Sequence, residues 1–184
     1  MRKGREMESR EKIVEQKNNY MDAATKFPKT IAERAELGEA IVRYPATWEE
    51  FVDIVEDCEY PIEYGNHEII AMSIASNLHE LIVGNIITIL NILFENDLET
   101  RILGSNRHVV VQGYKGSFAP DVHIINGKPE FFTLRKGLTA NKNPWLIVEV
   151  LSDSTKTRDW DEKLGAYKKI PSLQHILYIR QDKA

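Results

Sequence analysis

An acidic residue lies inside an apolar run near the end of the chain. Residues 145–151 read Trp-Leu-Ile-Val-Glu-Val-Leu, a composition typical of a strand that is covered on both faces. A carboxylate there loses its hydration, which costs several kcal/mol unless Glu149 is protonated, ion-paired or bound to a cation. Glu149 is therefore a candidate catalytic or metal-binding residue, and a structural ion pair with a Lys or Arg is the alternative.

A second acid begins another predicted strand. Asp121 follows Pro120, which holds the chain extended and has no N–H to donate to a neighbouring strand. Alternation over residues 121–125 places Asp121 and His123 on the same face. If the strands of Asp121 and Glu149 are neighbours, their carboxylates converge at one end of the sheet and need a cation between them. Oxygen ligands of this kind favour Mg²⁺ or Mn²⁺.

The elements expected around these acids change in character along the chain. Helices and one hairpin are predicted before Leu98, and short strands with a period of two residues are predicted after it. The predicted elements are a helix from Thr47 to Val55, a hairpin over 61–72 that turns at Gly65-Asn66, a helix over 77–96, strands at 108–111, 121–125 and 145–151, a helix over 159–169 and a strand at 175–179. This order indicates a single α/β (α+β) domain.

The length and composition of the chain limit its class. Its 184 residues suit one domain, and 42% hydrophobic with 28% charged residues is typical of soluble globular proteins. Residues 1–38 are expected to form an arm, partly helical around 30–37 or flexible, and residues 39–184 to form the domain. The lone Cys58, the lack of an apolar run of about 18 residues and the lack of an apolar N-terminal segment predict a cytoplasmic protein without a membrane span.

The charge balance bears on the kind of partner. The chain has 24 Lys and Arg residues against 28 Asp and Glu residues, a net charge of −4 with neutral histidines. Proteins that coat nucleic acid non-specifically are basic, because neutralisation of phosphates supplies most of their affinity. The balance argues against such a protein, but it allows an enzyme that gathers carboxylates at one site.

Four motifs resemble those of one known family. They read Ala119-Pro-Asp-Val122, Pro144-Trp-Leu-Ile-Val-Glu-Val-Leu-Ser-Asp-Ser-Thr155, Asp159-Trp-Asp-Glu-Lys163 and Ala166-Tyr-Lys-Lys-Ile-Pro-Ser-Leu173. Together they resemble the Uma2 family, also called DUF820, within the PD-(D/E)XK or restriction-endonuclease-like nuclease superfamily. The resemblance spans residues 44–180 and implies a single restriction-endonuclease-like domain, with a central mixed β-sheet flanked by helices.

The resemblance implies roles for three residues. Asp121 matches the Asp of the family's Pro-Asp and Glu149 matches its second acid, so both are implied catalytic residues and ligands of Mg²⁺ or Mn²⁺. The superfamily lysine normally stands two residues after the second acid, where this chain has Leu151. Lys163 on the following helix resembles the migrated lysine that replaces it.

Two neighbours of Lys163 have implied accessory roles. Asp159 and Tyr167 lie four residues on either side of Lys163, which places the three on one helical face and would bring an ammonium near Glu149. Each residue also has a purely structural alternative. Asp159 would cap the helix, and Lys163 would be a solvent-exposed ion-pair partner of Asp159.

Glu63 and His79 match further family residues that would complete a metal site or orient a water. The alternative for Glu63 is an exposed charge on the hairpin, and the alternative for His79 is a capping or packing residue at the start of its helix. The three remaining histidines of the strand-rich half show no ligand spacing and are expected to be structural: His108, His123 and His175.

The acids and the resemblance together predict a metal-dependent endonuclease that hydrolyses phosphodiester bonds in nucleic acid, with DNA favoured. One alternative is a catalytically degenerate nuclease fold that binds nucleic acid or a protein partner without cleavage. Another is a carboxylate-pair hydrolase that uses its acids for general acid–base chemistry on a different substrate.

A homodimer is expected from the predicted helix over residues 77–96. Its polar residues form a narrow stripe, so its apolar surface exceeds what one sheet face covers. The interface would bury part of this helix or an open sheet edge near Ile176–Ile179. That edge is expected because the chain ends at Ala184, where family members continue with further strands.

Overall fold

The computed structural model describes residues 27–38, 41–135, 137–151 and 159–181, and for residues 159 and 160 the backbone alone. The helices in this part of the chain are α1 (Ile31–Glu36), α2 (Trp48–Ile54), α3 (Asn77–Leu93) and α4 (Leu164–Tyr167), with a 3₁₀ turn at Gln112–Tyr114 and a π-helix at Asp159–Lys163 directly before α4. The strands are β1 (Ile41–Pro45), β2 (Ile62–Gly65), β3 (Glu68–Met72), β4 (Thr100–Gly104), β5 (Val109–Val111), β6 (Gly116–Phe118), β7 (Val122–Asn126), β8 (Phe131–Arg135), β9 (Leu138–Asn141), β10 (Leu146–Leu151) and β11 (His175–Arg180). No described helix is long and apolar enough to cross a membrane.

The described strands lie in two mixed sheets. One sheet has seven strands in the order β1-β3-β2-β6-β5-β9-β8, and the other has four in the order β11-β10-β7-β4. Neighbouring strands are antiparallel except for the pairs β5/β9 and β10/β11, which are parallel. This arrangement confirms the mixed α+β class. The strands were expected to form one central sheet, and they form two.

The division between the sheets falls at one short segment. β6 pairs with β2 and β5, whereas β7, which begins four residues after β6 ends, pairs with β4 and β10. Residues 119–121 between them include Pro120, which has no N–H to continue a ladder. Asp121 therefore lies where the chain passes from one sheet to the other.

Three apolar clusters form the described core. Phe51 of α2 packs with the strands of the β2–β3 hairpin, and Ile87 of α3 packs with the four-stranded sheet. The third cluster joins Phe118 of the seven-stranded sheet to Ile147 of β10 and Tyr167 of α4. β10 is thus covered on both faces, as its apolar run predicts.

The β2–β3 hairpin turns over Asn66 and His67, one residue beyond the predicted Gly65-Asn66. Both turn residues have positive φ, 53° and 62°, and Gly65 pairs directly with Glu68. Two-residue turns with positive φ match the right-handed twist of the flanking strands. The turn therefore sets the register of β2, the strand that carries Glu63.

The long helix α3 begins at the predicted residue and ends earlier than predicted. Ser76 is its N-cap, and its hydroxyl accepts the His79 N–H at 3.1 Å. The helix ends at Leu93 because Phe94 leaves the helical conformation, and the Asp97 N–H bonds to the Phe94 carbonyl in a turn. The predicted end at residue 96 is therefore three residues too long.

Residues 27–38 pack on the domain. Thr30 caps α1 in a capping box, in agreement with the helix predicted around residues 30–37. Arg34 is buried and donates from Nε to the Met72 carbonyl at 2.9 Å, and Phe27 is buried as well. Residues 1–26 lie outside the described part of the chain.

Two histidines of the strand-rich half form local hydrogen bonds. His108 Nδ1 lies 2.8 Å from Ser117 Oγ, and His123 Nε2 lies 2.8 Å from Asn141 Nδ2. Burial lowers the pKa of both imidazoles to about 4, and the charge of Arg107 acts in the same direction. Both histidines are therefore neutral at pH 7.

The stability of the protein should fall in acid because His108 takes up a proton more readily in the unfolded chain than in the folded protein. A histidine of the unfolded chain has a pKa near 6.5, whereas the pKa of folded His108 is about 4. The stability that neutral His108 contributes is complete above pH 6.5 and is lost as the pH falls towards 4. Because His108 is partly exposed, the loss is at most about 3 kcal/mol.

Urea unfolding between about pH 7.5 and pH 4.5 measures this loss. His108→Gln removes the titrating group, so its stability should fall less over this range than that of the wild type. His67→Asn removes a histidine from a left-handed turn position that suits Asn, and it should keep the wild-type pH dependence. Equal slopes for His108→Gln and the wild type would show that His108 is not the group responsible.

Candidate active site

Glu149 points away from α3. Side chains alternate along β10, and Leu146 and Val148 pack with α3 whereas Ile147 packs in the cluster of Tyr167. Glu149 shares the face of Ile147 and is 2% exposed. The apolar run thus holds a buried acid, as predicted, and the partners of Glu149 come from the side of α4 and the seven-stranded sheet.

Two side chains from the helical segment after β10 bind Glu149. Lys163 Nζ lies 3.0 Å from Glu149 Oε1, and the Tyr167 hydroxyl donates to the same oxygen at 2.6 Å. The spacing of four residues places Lys163 and Tyr167 on one face, as predicted. Lys163 is 3% exposed, so the alternative of a solvated lysine is wrong.

The helix that carries Lys163 differs from the regular helix predicted over residues 159–169. A π-helix ends at Lys163, and α4 adds a single turn. π-helical turns are rare and occur often at functional sites. Glu162 of this turn accepts a hydrogen bond from Arg43 of β1 at 2.6 Å, which ties the turn to the seven-stranded sheet. The side chain of Asp159, predicted beside Lys163, lies outside the described residues.

Glu63 is a buried member of the same cluster, and the alternative of an exposed hairpin charge is wrong. Its neighbours Ile62 and Tyr64 pack around α2, so Glu63 projects from the opposite face of β2. Glu63 Oε1 accepts the Ala119 N–H at 2.9 Å and lies 3.1 Å from Lys163 Nζ. Lys163 therefore bridges two buried carboxylates from different sheets.

Asp121 and His79 form the second part of the site. His79 Nε2 lies 3.0 Å from Asp121 Oδ1, and the Val150 N–H donates to Asp121 Oδ2 at 2.6 Å. Because Val150 follows Glu149, the Asp121 carboxylate contacts the backbone directly beside the second acid. The two acids were predicted to converge if their strands are neighbours. β7, which follows Asp121 directly, and β10, which carries Glu149, do pair with each other, in antiparallel orientation.

Both parts of the site open into one cleft with a volume of about 620 Å³. The side chains of Asp121 and His79 are each 17% exposed, whereas those of Glu63, Glu149 and Lys163 are almost fully buried. The cleft therefore combines a solvent-accessible Asp–His pair with a buried cluster of three charged groups. All five residues contribute to its lining.

The donor chemistry of the cleft fits a hard divalent cation. Asp121, Glu149 and Glu63 present carboxylate oxygens in one cleft, and Mg²⁺ and Mn²⁺ favour such ligands. Within the described ranges, no three His, Cys, Asp or Glu side chains gather closely enough to form a metal cluster by themselves. Mg²⁺ is commonly held by one or two carboxylates together with waters and substrate phosphates, so this donor set suits a cation that binds with its substrate.

Sequence reasoning missed Gln181 and two backbone donors, the Ala119 and Val150 N–H groups. Gln181 Nε2 lies 3.2 Å from His79 Nδ1. No local pattern marks Gln181, because its place beside His79 follows from the parallel pairing of β11 with β10, which brings the end of β11 next to the end of the strand that carries Glu149. Backbone N–H donors leave no local signal either, since every residue except Pro carries one.

Removal of Lys163 should destabilise the protein strongly. Lys163→Met leaves Glu63 and Glu149 buried without their shared ammonium, and loss of one partner from a buried ion pair costs about 3–5 kcal/mol. Glu149→Gln should cost less, because the amide keeps the side-chain volume and Lys163 keeps Glu63 as a partner. Urea unfolding near pH 7 gives the free energies of unfolding.

Lys142→Met provides the matched control. Lys142 pairs with Glu130 at 3.6 Å, and the Glu130 side chain is 63% exposed. Exposed pairs of this kind contribute about 0–1 kcal/mol, so the control should unfold nearly as the wild type does. A Lys163→Met protein as stable as the Lys142→Met protein would refute the buried ion-pair cluster.

Comparisons with known proteins identify the family. The Uma2 family model, described as "putative restriction endonuclease", matches residues 48–184. An uncharacterized protein of Synechocystis sp., sll1609, is 32% identical over 132 residues, which cover 72% of this chain and 73% of that protein. The crystal structure of a "putative nuclease belonging to DUF820" from Anabaena variabilis has the same fold, with a TM-score of 0.59 and 22% identity over 74% of each chain. Because the family model matches well over half of the residues, the chain belongs to the Uma2 family.

Proposed function

We propose that this protein is a metal-dependent endonuclease that hydrolyses phosphodiester bonds in DNA, with Asp121, Glu149 and Lys163 as its catalytic residues. The observation that carries the proposal is the cleft in which Asp121 contacts the backbone beside Glu149 while Lys163 contacts Glu149 itself. Two acids that can hold a metal ion, with an ammonium fixed beside them, suit metal-assisted hydrolysis of a phosphodiester. The family description, restriction endonuclease, supports the same chemistry.

Asp121 and Glu149 are the residues that would hold Mg²⁺ or Mn²⁺. When bound, such a cation polarises the phosphate and lowers the pKa of a water. His79 and the Val150 N–H hold the Asp121 carboxylate from two sides, so its orientation does not depend on the substrate. The Tyr167 hydroxyl has the same effect on Glu149.

Lys163 supplies positive charge where negative charge develops during the reaction. Its ammonium lies 3.0 Å and 3.1 Å from two carboxylate oxygens in a buried cluster, where charges interact more strongly than in water. An ammonium that is fixed before the substrate arrives stabilises the transition state without further reorganisation. Glu63 acts here as a positioning residue, because its carboxylate contacts the same ammonium at 3.1 Å.

Under this proposal the protein binds DNA and a second copy of the chain. It acts in the cytoplasm. The family description supports DNA as the nucleic acid, since restriction endonucleases act on DNA. A homodimer is supported by the apolar residues that α3 exposes, among them Leu81 and Ile92.

A nuclease fold that binds nucleic acid without cleaving it is the second candidate. Lys163 forms ion pairs with both Glu149 and Glu63. Such pairs are also what a purely structural role of these residues would produce. Under this candidate the buried charges hold the two sheets together, and the cleft binds a nucleic acid without turning it over.

Calorimetry should detect binding of Mn²⁺ to the wild type and no binding to Asp121→Ala. Asp121 is the more exposed of the two proposed ligands, and its removal deprives the cation of a carboxylate. Asp53→Ala removes an exposed acid of α2 outside the cleft and should bind Mn²⁺ as the wild type does. Undiminished binding in Asp121→Ala would eliminate this metal site.

Turnover should depend on Lys163 and on the metal together. On mixed DNA substrates with Mg²⁺ or Mn²⁺, Lys163→Met should cleave at least about 100-fold more slowly, the scale for loss of one electrostatic stabiliser. The assay requires a temperature at which circular dichroism shows the variant to be folded, with Asp53→Ala as the control and RNA tested in parallel. Hydrolysis that survives EDTA would favour the general acid–base enzyme, and tight DNA binding without turnover would favour the degenerate module.

A further inference from the structure

We infer that Gln181 is a positioning residue: its side-chain amide fixes the tautomer and the orientation of His79, and His79 holds Asp121 in place without binding the metal itself. The effect on a metal rests on the proposed function, in which Asp121 is a ligand. The hydrogen bonds run in one line from Gln181 through the His79 imidazole to the Asp121 carboxylate. The sequence alone left His79 open as part of a metal site or as a partner of a water.

The Asp121 carboxylate determines which nitrogen of His79 carries the proton. His79 Nε2 lies 3.0 Å from Asp121 Oδ1. An ionised carboxylate only accepts hydrogen bonds, so this contact is a hydrogen bond only if Nε2 carries a hydrogen. The opposite tautomer would place the lone pair of Nε2 against an oxygen that also has only lone pairs. The neutral imidazole therefore carries its proton on Nε2.

Gln181 contacts the other ring nitrogen of His79. Because the proton is on Nε2, Nδ1 has a lone pair and needs a donor. The NH₂ group of Gln181 supplies one, since its Nε2 lies 3.2 Å from His79 Nδ1. A hydrogen bond at one nitrogen of an imidazole determines which nitrogen is protonated, and it also fixes the orientation of the ring. Gln181 thus selects the tautomer that Asp121 requires.

This tautomer has no nitrogen available for a metal. A neutral imidazole binds a metal through its unprotonated nitrogen, and on His79 that nitrogen accepts the bond from Gln181. Asp121 remains able to act as a ligand. Its two oxygens accept from His79 and from the Val150 N–H, and each oxygen has a second acceptor position for a cation. His79 therefore acts on a metal through Asp121.

The fold places Gln181 beside His79 through β11. Ile179 lies two residues before Gln181 and packs in the apolar cluster of α3 and the four-stranded sheet. Side chains alternate along an extended chain, so Gln181 projects towards the same side of the sheet. His79 lies on that side because it belongs to the first turn of α3, where the Ser76 hydroxyl accepts its N–H at 3.1 Å.

The Asp121–His79 pair needs this support because it is the solvent-accessible part of the site. Both side chains are 17% exposed, whereas the three charged groups of the neighbouring cluster are at most 3% exposed. Water competes with protein groups for hydrogen bonds, so a single contact contributes little net stability. A second hydrogen bond, from Gln181 to the far side of the imidazole, restrains the ring where burial does not.

A role as a simple packing residue at the end of β11 is the rival for Gln181. Under that role a side chain of similar length without the amide would serve equally well. Gln181→Met makes this change and removes only the donor. Gln174 is exposed and lies directly before β11, so Gln174→Met provides the matched control.

Nitrogen NMR of the imidazole rings tests the contact in the metal-free protein, at about pH 8, where free histidine is neutral. His79→Leu identifies the resonances of His79. In the wild type the proton should lie on Nε2, and Nδ1 should show the resonance of a hydrogen-bonded acceptor. Gln181→Met should shift the Nδ1 resonance towards that of a nitrogen without a donor, and Gln174→Met should not. A proton on Nδ1 in the wild type, or no shift in Gln181→Met, would overturn the inference.

Calorimetry with Mn²⁺ tests the effect on the metal. Loss of a residue that orients a metal ligand typically weakens metal binding 10- to 100-fold, so Gln181→Met and His79→Leu should each raise the dissociation constant at least about 10-fold. His79→Gln retains an N–H donor for Asp121 and should recover part of the loss. Gln174→Met should bind as the wild type does. Equal affinities for Gln181→Met and Gln174→Met would show that Gln181 does not position the ligand.

Electron spin-echo envelope modulation of the Mn²⁺-loaded wild type separates a positioning histidine from a ligand histidine. No coupling to a directly bound imidazole nitrogen should appear, because His79 contacts the metal site through Asp121. A nitrogen coupling that His79→Leu abolishes would make His79 a ligand and overturn the inference. A wild type that binds no Mn²⁺ would instead refute the metal site of the proposed function, and the NMR measurement would still decide whether Gln181 fixes His79.

Discussion

The arrangement of the site depends on one ammonium held between two buried carboxylates. Lys163 lies 3.1 Å from Glu63 and 3.0 Å from Glu149, and all three side chains are at most 3% exposed. Glu63 belongs to the seven-stranded sheet, Glu149 to the four-stranded sheet, and Lys163 to the π-helix between β10 and β11. Because absence of Lys163 would leave two buried carboxylates without their shared ammonium, the helical turn that carries Lys163 stabilises the contact between the two sheets.

The same cluster governs the electrostatics of the cleft. Two carboxylates around one ammonium carry a net negative charge when all are ionised, and Asp121 adds a carboxylate to the same cleft. Hydrogen bonds from the Ala119 N–H and the Tyr167 hydroxyl stabilise part of that charge. Carboxylates gathered in this way attract a divalent cation, which agrees with the proposed dependence on a metal.

The sequence predicted those parts of the site that leave a local signature. Glu149 stands out because a carboxylate in an apolar strand must have a partner. Lys163 is implied by the family resemblance, and the step of four residues then places Tyr167 on the same helical face. The burial of Glu63 has no such signature, because its strand is short and either face could meet the second sheet. The π-helix and the break between sheets near Pro120 likewise depend on tertiary contacts that a local pattern does not record.

α3 positions one residue of the site, His79. His79 lies in the first turn of α3, so its contact with Asp121 at 3.0 Å requires the helix to keep its position on the four-stranded sheet. Residues such as Val83 and Leu90 hold the helix on one face, but no residue of α3 is fully buried. A helix with few buried contacts moves more readily than one that is packed on two faces. The Ser76 hydroxyl, which accepts the His79 N–H, and the 3.2 Å contact of Gln181 Nε2 with His79 Nδ1 therefore help to hold this end of the helix beside Asp121.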